Sequence, residues 1–513
     1  MILSVLVVGL LAIVIDNTVL NVALKTIAEP KPAGLGASQS AEEWAIDSYT
    51  LVFAGLLFTF GVIGDRIGRK RILIAGLLIF GVGSLLSAYS QSPAELIGAR
   101  ALMGLGGAAV MPQTLSIISN VFEPRERPKA IGIWATAVGV GIAIGPVLGG
   151  VLLSHLWWGS VFLINVPVTA FGMVAAFILV PESKNPAPGK IDYLGVLASV
   201  AGLTLLVFGI VHGGDTSDWT SVAVLGTIAA GVVILALFVL YEARIAHPSL
   251  DVRLFKDRRL SASVGGLTLL FFGFGGVFFF TSYYLQNVRG YSPLEAGLLY
   301  VPFAVGQMAM SPRSAGLVRR FGPKAVGASG MALTSVALAG YALLSTTSPI
   351  WVLGVLYVIQ GAGAGVAMPA ATSAVMEVLP RERAGAGSAL TNTARQVAVA
   401  LSVAVLGSIL AQLYRSSMST TLAVLPAGAR NAASGSITAT QAVAAQLGQA
   451  GKALLSPANT AYVDAMHVTT LAATAVSVLG VLVMLRWMPG KPSPVPDTIE
   501  EAELFSETAG VEG

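Results

Sequence analysis

Four charged side chains interrupt stretches that are otherwise apolar: Asp16, Asp47, Arg100 and Arg395. A charge at mid-membrane costs at least about 2.5–3.5 kcal/mol on insertion scales, so each needs a partner or a task. An apolar setting disfavours an ionised carboxyl, and an arginine beside it restores the charged form. A pair balanced in this way can bind and release a proton near neutral pH, and the same carboxylate can hold a cation in the proton's place. Asp16 or Asp47 is therefore a candidate proton-coupling carboxylate, with Arg100 as the group that tunes it. The other reading of Asp16 is a static pair with Arg100; for Asp47 it is an anchor for its helix beside Trp44. Arg395 lies in Thr391-Asn392-Thr393-Ala394-Arg395-Gln396, polar for a helix interior. It and Asn392 are candidates to line a cavity; packing, or reaching toward the lipid surface, is the alternative.

The elements that carry these residues follow from composition. The chain has 513 residues, 55% hydrophobic and 11% charged, too little charge to cover a soluble protein of this size. Apolar runs of about 20 residues recur along it, the length that crosses a hydrocarbon core of roughly 30 Å. The expected fold class is an all-α integral membrane protein. Fourteen spans are expected, near residues 2–24, 44–63, 72–90, 94–120, 130–154, 160–180, 192–212, 221–241, 261–286, 294–312, 325–345, 350–378, 385–413 and 464–488. The first run continues past any plausible cleavage site into Asp16-Asn17-Thr18, so it reads as a span and not as a signal peptide. The 58 glycines lie within the runs, where small residues let helices approach closely. There are no cysteines, which excludes disulfides and thiolate metal sites.

Orientation comes from the stretch Gly61–Arg71, GVIGDRIGRKR, a short basic connection between two apolar runs. With the N-terminus inside, the loops 64–71, 122–129, 181–191, 242–260, 313–324 and 379–384 are cytoplasmic. Together with the tail from Arg486 they hold 22 of the 30 Lys/Arg, and only six lie on the other side. Cytoplasmic loops carry such an excess, so both termini are expected in the cytoplasm of a cell-membrane protein. The net charge of +4 is spent on this asymmetry and does not point to nucleic acid. Residues 414–463 form a long external connection. Val443, Leu447, Ala450 and Leu454 there fall at helical spacing, which suits an amphipathic hairpin; a flexible polar loop is the alternative. The tail 489–513 is Pro-rich, then acidic, and reads as disordered.

The chain also repeats itself. Gly104-Leu-Gly-Gly-Ala-Ala-Val-Met-Pro112 returns as Gly361-Ala-Gly-Ala-Gly-Val-Ala-Met-Pro369, each followed by the same charged turn, Pro124-Arg-Glu-Arg127 and Pro380-Arg-Glu-Arg383. Arg66-Ile-Gly68-Arg69-Lys70 is echoed by Arg320-Phe-Gly322-Pro323-Lys324. Residues 1–185 and 260–488 thus read as two copies of one six-helix unit, with two inserted spans at 186–259. Two parallel repeats of this kind are an architecture of secondary transporters, whose substrate sits near the midplane between them.

These motifs resemble the major facilitator superfamily. Gly61–Arg71 is similar to its loop signature, and Gly139-Val-Gly-Ile-Ala-Ile-Gly145-Pro146-Val-Leu-Gly149-Gly150 to the glycine-proline motif of its antiporters. Asp16-Asn-Thr-Val-Leu-Asn21 and Phe162-Leu-Ile-Asn165-Val-Pro167 resemble the fourteen-helix drug:proton antiporters, and Trp44-Ala-Ile-Asp47-Ser-Tyr49 the quaternary-ammonium efflux pumps of the QacA type. One departure is Met103, where that family usually has Gln; another is the lack of an acid matching Asp65 in the second copy. The resemblance implies a major facilitator fold and proton-coupled export of lipophilic, cationic drugs. It assigns a latch to Asp65, Arg66, Gly68 and Arg69, and a sliding interface between the halves to Gly139, Gly145, Pro146 and Gly149.

For a lipophilic cation, aromatic and Met side chains would supply cation–π attraction and adaptable packing. Tyr283, Tyr284, Tyr300, Phe303, Gln307 and Met308 are the candidates, against a plain role in core or lipid contact. No phosphate-cradling loop occurs and the four histidines are scattered, so an ATPase, another enzyme, a cofactor and a metal are not expected. The expected partners are small cations, protons and lipids, for a monomer. The alternatives are export of another small molecule (a host-made antibiotic, a lipid or a siderophore), proton-coupled uptake, or a receptor or scaffold on the same fold.

Overall fold

In lipid every backbone polar group must be satisfied within the protein, and a helix does this within one segment. The computed structural model describes residues 2–123, 127–184, 192–216, 218–245, 248, 252–378 and 384–488, and among these it is helical without strands. The first bundle comprises α1 (Ile2–Ala28), α2 (Gln39–Ile67), α3 (Arg69–Ala88), α4 (Pro93–Val121), α5 (Arg127–His155), and the short α6 (Ser160–Leu163) running into α7 (Asn165–Leu179). Next come α8 (Tyr193–Thr216) and α9 (Val222–Glu242), packed on each other. The second bundle has α10 (Arg258–Tyr283), which continues through a π-helical turn at Tyr284–Val288, then α11 (Pro293–Leu299), α12 (Val301–Tyr341), α13 (Ile350–Val378), α14 (Ala384–Leu422), α15 (Ala427–Ala433), α16 (Ile437–Gln446) and α17 (Lys452–Trp487). Helix α8 leans on both α2 and α14.

Ten of these helices are long and apolar enough to cross a membrane, eleven with the bent α2, among the described residues. The fourteen spans read from sequence would add α5 and the two arms of α12, which meet at Gly322. Serine caps set several starts: Ser38, Ser92 and Ser221 each accept a backbone N–H of the first turn, and Ser292 closes a capping box with Glu295. Because Ser38 caps α2, that helix begins before Trp44, where the sequence reading starts it, and takes in Glu42 and Glu43.

The segment 414–463 is neither a flexible loop nor a simple hairpin. Helices α14 and α17 extend into it, and α15 and α16 fill the gap between them. Tyr414 Oη lies 2.7 Å from Thr440 Oγ1, and Asn287 Nδ2 donates to Thr438 Oγ1 at 2.7 Å, fastening α16 to the end of the second bundle. Of the four residues at helical spacing, Val443 and Leu454 are buried while Leu447 and Ala450 are exposed, because the chain turns between them at Gly448. The charged turns at 124–126 and 379–383 and the tail 489–513 lie outside the described residues.

The repeat is physical. A Cβ on Gly104 would stand 2.5 Å from the carbonyl oxygen of Tyr49 in α2, and one on Gly361 would stand 1.9 Å from that of Phe303 in α12. The same close approach recurs at matching places. The connections echo too: Gly68 and Gly322 both have positive φ, 131° and 82°, at the turn between paired helices. The bundles meet along α2–α14, α5–α11, α5–α12 and α1–α10. Hydrogen bonds crossing between them gather at the end away from Gly68. Ser282 Oγ donates to Asn21 O at 2.5 Å, Gln286 Nε2 to Val22 O at 3.0 Å, Lys25 Nζ to Gln286 O at 2.9 Å and Gln39 Nε2 to Gly407 O at 3.3 Å.

A side chain at the close approach has nowhere to go, and overpacking of this kind costs about 1–3 kcal/mol. Gly361→Val is expected to lower the thermal unfolding temperature of the detergent-purified protein, whereas Gly354→Val on the same helix, where a Cβ meets nothing within 4 Å, leaves it unchanged.

Candidate functional site

Helices α1 and α4 bring Asp16 and Arg100 together. Both are almost completely buried, and Arg100 Nη1 lies 2.5 Å from Asp16 Oδ2. The second carboxylate oxygen accepts from Asn165 Nδ2 at 3.1 Å, and Asn165 also reaches Ser84 Oγ at 3.1 Å. Arg100 Nε donates to Ala45 O at 2.9 Å, and the guanidinium lies over the Tyr49 ring at 4.4 Å and the Phe162 ring at 5.8 Å. Met103, at the place of the expected Gln, offers its sulfur 3.8 Å from Nη1. Both oxygens of Asp16 are thus occupied and its charge is matched. The sequence could have flagged Asn165, which sits in a quoted motif; Ser84 has no signal of its own.

Asp47 is not part of this pair. It is fully buried, and neither carboxylate oxygen has a hydrogen-bond partner among the described residues. It shares a face of α2 with Glu43 and Leu51, one turn to either side. Glu43 lies against Gly407 of α14, and Leu51 belongs to a buried cluster with Ala400 and Ala404 of the same helix and Leu203, Val207 and Val211 of α8. That face is the seam between the bundles. Glu42, 1% exposed, reaches across the seam, where Tyr283 Oη of α10 donates to its Oε2. The sequence reading missed Glu42 and Glu43 because it started the helix at Trp44 and took both for loop residues.

In the second bundle the candidates separate. Arg395 Nε is buried without a hydrogen-bond partner, and its guanidinium lies 5.6 Å from the centre of the Phe271 ring. Its neighbour Thr393 reaches Ala54 O of α2 at 3.5 Å, so this part of α14, with Asn392, borders the first bundle. Tyr283 also borders it. Tyr300 and Phe303 do not: both are 2% exposed and interlock with Phe274, Phe278 and Tyr357 in an aromatic core. Tyr284 donates to Ser345 O at 2.7 Å. Gln307 is pressed by its backbone against Gly365 of α13, and Met308 is 44% exposed. Helical periodicity fixes which residues share a face but not which face meets the other bundle, and these five went to the core or the periphery.

The basic connection ties α2 to its own bundle. Asp65 Oδ1 is 2.9 Å from Arg69 Nη2, and the backbone N–H groups of Arg69 and Lys70 reach Ser183 O and Glu182 Oε1 beyond α7. Glu182 also fills the space beside Gly68, where a Cβ would come within 2.6 Å of its carboxylate, and Arg66 is exposed. In α5, which carries Gly139, the glycines serve two neighbours. Gly145 and Gly149 lie against Thr18 and Val19 of α1, while Pro146 O meets Gly297 of α11.

Residues 6–403 match the family model of the Major Facilitator Superfamily. The chain belongs to that superfamily. Among similar members is the multidrug efflux pump LfrA of Mycolicibacterium smegmatis, 37% identical with 87% of each chain covered. The methyl viologen resistance protein SmvA of Salmonella typhimurium is 34% identical, covering 83% of this chain and 84% of that one. The tetracenomycin C resistance and export protein of Streptomyces glaucescens is 33% identical over 79% of this chain and 74% of its own. Among solved structures, a bacterial homologue of the human lysosomal transporter Spinster, inward-facing and unoccupied, aligns with a TM-score of 0.66 at 19% identity over 96% and 98% of the two chains. That likeness is one of fold.

In this major facilitator protein the Asp16–Arg100 pair is buried and its contact has a checkable signature. Removing one partner of a buried pair costs about 3–5 kcal/mol, whereas removing both can be nearly neutral. Arg100→Met is expected to collapse thermal stability, and adding Asp16→Asn to recover much of it.

Proposed function

We propose that the chain exports lipophilic, cationic drugs and antiseptics across the cell membrane in exchange for protons, as a fourteen-span monomer with both termini in the cytoplasm. The observation that carries this reading is Asp47, a buried carboxyl with two unpartnered oxygens on the seam between the bundles. An unpaired carboxylate is costly to bury and the neutral acid far less so. A proton on Asp47 therefore suits the closed seam, and its release suits a seam opened to water or to a cation. Asp16, with both oxygens occupied, is proposed to hold α1 to α4 through Arg100 in every state. Relatives named for multidrug efflux and methyl viologen resistance support a drug cargo. Asp65, Arg69 and Glu182 are proposed to stiffen the cytoplasmic end of the first bundle, and the α5 glycines to let α1 and α11 slide past.

A second reading concerns the cargo. Arg395 borders the first bundle with an unpartnered donor, which favours a molecule carrying an acceptor or an anionic group. A relative named for export of tetracenomycin C fits that alternative of a different small molecule.

The test is efflux of a monovalent and a divalent dye cation, and of an anionic dye, from cells making the protein, with and without an uncoupler. Cation efflux that stops with the uncoupler, and that falls tenfold or more in Asp47→Asn, is the expected result. Undiminished uncoupler-sensitive efflux by Asp47→Asn would remove Asp47 from the mechanism, and efflux of the anionic dye alone would replace the cation reading with the Arg395 one.

A further inference from the structure

The seam carries a feature that proton exchange at Asp47 leaves unused. Glu42 of the first bundle and Tyr283 of the second share a hydrogen bond across it, among the contacts that close the end away from Gly68. Glu42 is 1% and Tyr283 4% exposed, and Glu42 Oε1 has no partner.

No ion pair involves Glu42 among the described residues. The surrounding titratable groups supply no counter-charge. On α2 they are Glu43 and Asp47, on α10 Tyr283, and on α17 Tyr462, whose ring is 6.5 Å from that of Tyr283. On α14 Tyr414 stands behind Tyr462, Arg415 donates to Gly214 O, and Arg395, about three turns along the helix from Gly407, lies over the Phe271 ring. On α1 Lys25 donates to Gln286 O, on α4 Arg100 is held by Asp16, and on α8 His212 stacks on Phe208.

Two effects then compete. Glu42 lies in the first turn of α2, where the helix end favours an anion weakly. Burying an unpaired carboxylate costs several kcal/mol, so the closed seam favours the neutral acid.

We propose that Glu42 is a second proton site of the transport cycle, and that its bond to Tyr283 is a clasp that closes the outer end of the seam only while Glu42 is protonated. Loss of the proton leaves a carboxylate with no cation paired to it among the described residues, and hydration of that charge drives the two bundles apart at this end. The proposal rests on the proton-exchange reading above, but its test needs neither drug nor gradient.

The chain has no cysteine, so one can be placed as a reporter. Ser282→Cys puts a thiol in the seam, where Ser282 is 1% exposed, and Gln449→Cys puts an exposed thiol on the α16–α17 connection as a control for the intrinsic pH dependence of the reaction. Maleimide labelling of the purified protein in lipid nanodiscs is measured from pH 5 to pH 9 as the ratio of the two rates. One proton linked to opening raises that ratio by up to about tenfold per pH unit across the transition. The expected result is a rising ratio that Glu42→Gln makes clearly shallower, and that Asp47→Asn, which leaves the clasp between Glu42 and Tyr283 in place, does not abolish. Tyr283→Phe, which leaves the carboxyl in place, is expected to raise the ratio at low pH by removing the clasp. A flat ratio in the reporter protein, the same rise in Glu42→Gln, or unaltered labelling in Tyr283→Phe overturns the proposal. Drug efflux with a flat ratio would refute the clasp and spare the exchanger; a rising ratio without drug efflux would do the reverse.

Discussion

A charge within the membrane needs either a partner or a proton, and this constraint organises the interior of the protein. Asp16 and Arg100 meet it by pairing. The pair joins two helices that lie far apart in sequence, and its remaining valences are taken up by Asn165, Ala45 and the Tyr49 ring. Nothing there asks for an outside ligand. Asp47 and Glu42 lie between the bundles and form no ion pair among the described residues. The same kind of side chain therefore meets two settings: inside one bundle both of its oxygens are occupied, and between the bundles oxygens are left without a partner among the described residues.

The second constraint is steric. Small residues let backbones come close, and dispersion contacts with little hydrophobic drive then hold helices together in lipid. Gly104 against Tyr49 and Gly361 against Phe303 are two instances of one contact. The repeat conserves this packing and the turns at Gly68 and Gly322. It does not conserve the charges: Phe303 of the second copy is buried in an aromatic core, where Tyr49 of the first lies beneath a guanidinium. Shape is repeated and chemistry is not: the buried carboxyls Asp16, Glu42 and Asp47 all belong to the first bundle, while the second contributes Tyr283 and Arg395 where it borders the first.

Much of this was legible in the residues themselves. Runs of apolar sequence mark helices because lipid leaves the backbone no other partner, and basic residues mark the connections because they are held at one face. The repeat was legible because close backbone contact tolerates only glycine at Gly104 and Gly361. Asp16 and Arg100 could be put together by counting turns from the two ends of their helices. The start of α2 was also available, in Ser38, but a helix that begins on polar residues looks like a loop when apolar runs are the guide; Glu42 and Glu43 were lost for that reason.

The sequence by itself determined that the chain is a bundle of membrane helices in two related halves, with a few charges too costly to be incidental. Only the tertiary structure decided which charges meet. Asp16 and Asp47 are alike as residues in apolar runs, and both lie near the same end of the first bundle. What separates them is the direction in which each side chain leaves its helix, toward Arg100 in one case and, in the other, from the helix face that also carries Glu43 and Leu51, which meet α14 and α8. That direction depends on how each helix is rotated against its neighbours. Rotation is set by the sum of many contacts with helices remote in sequence, and no local pattern records it.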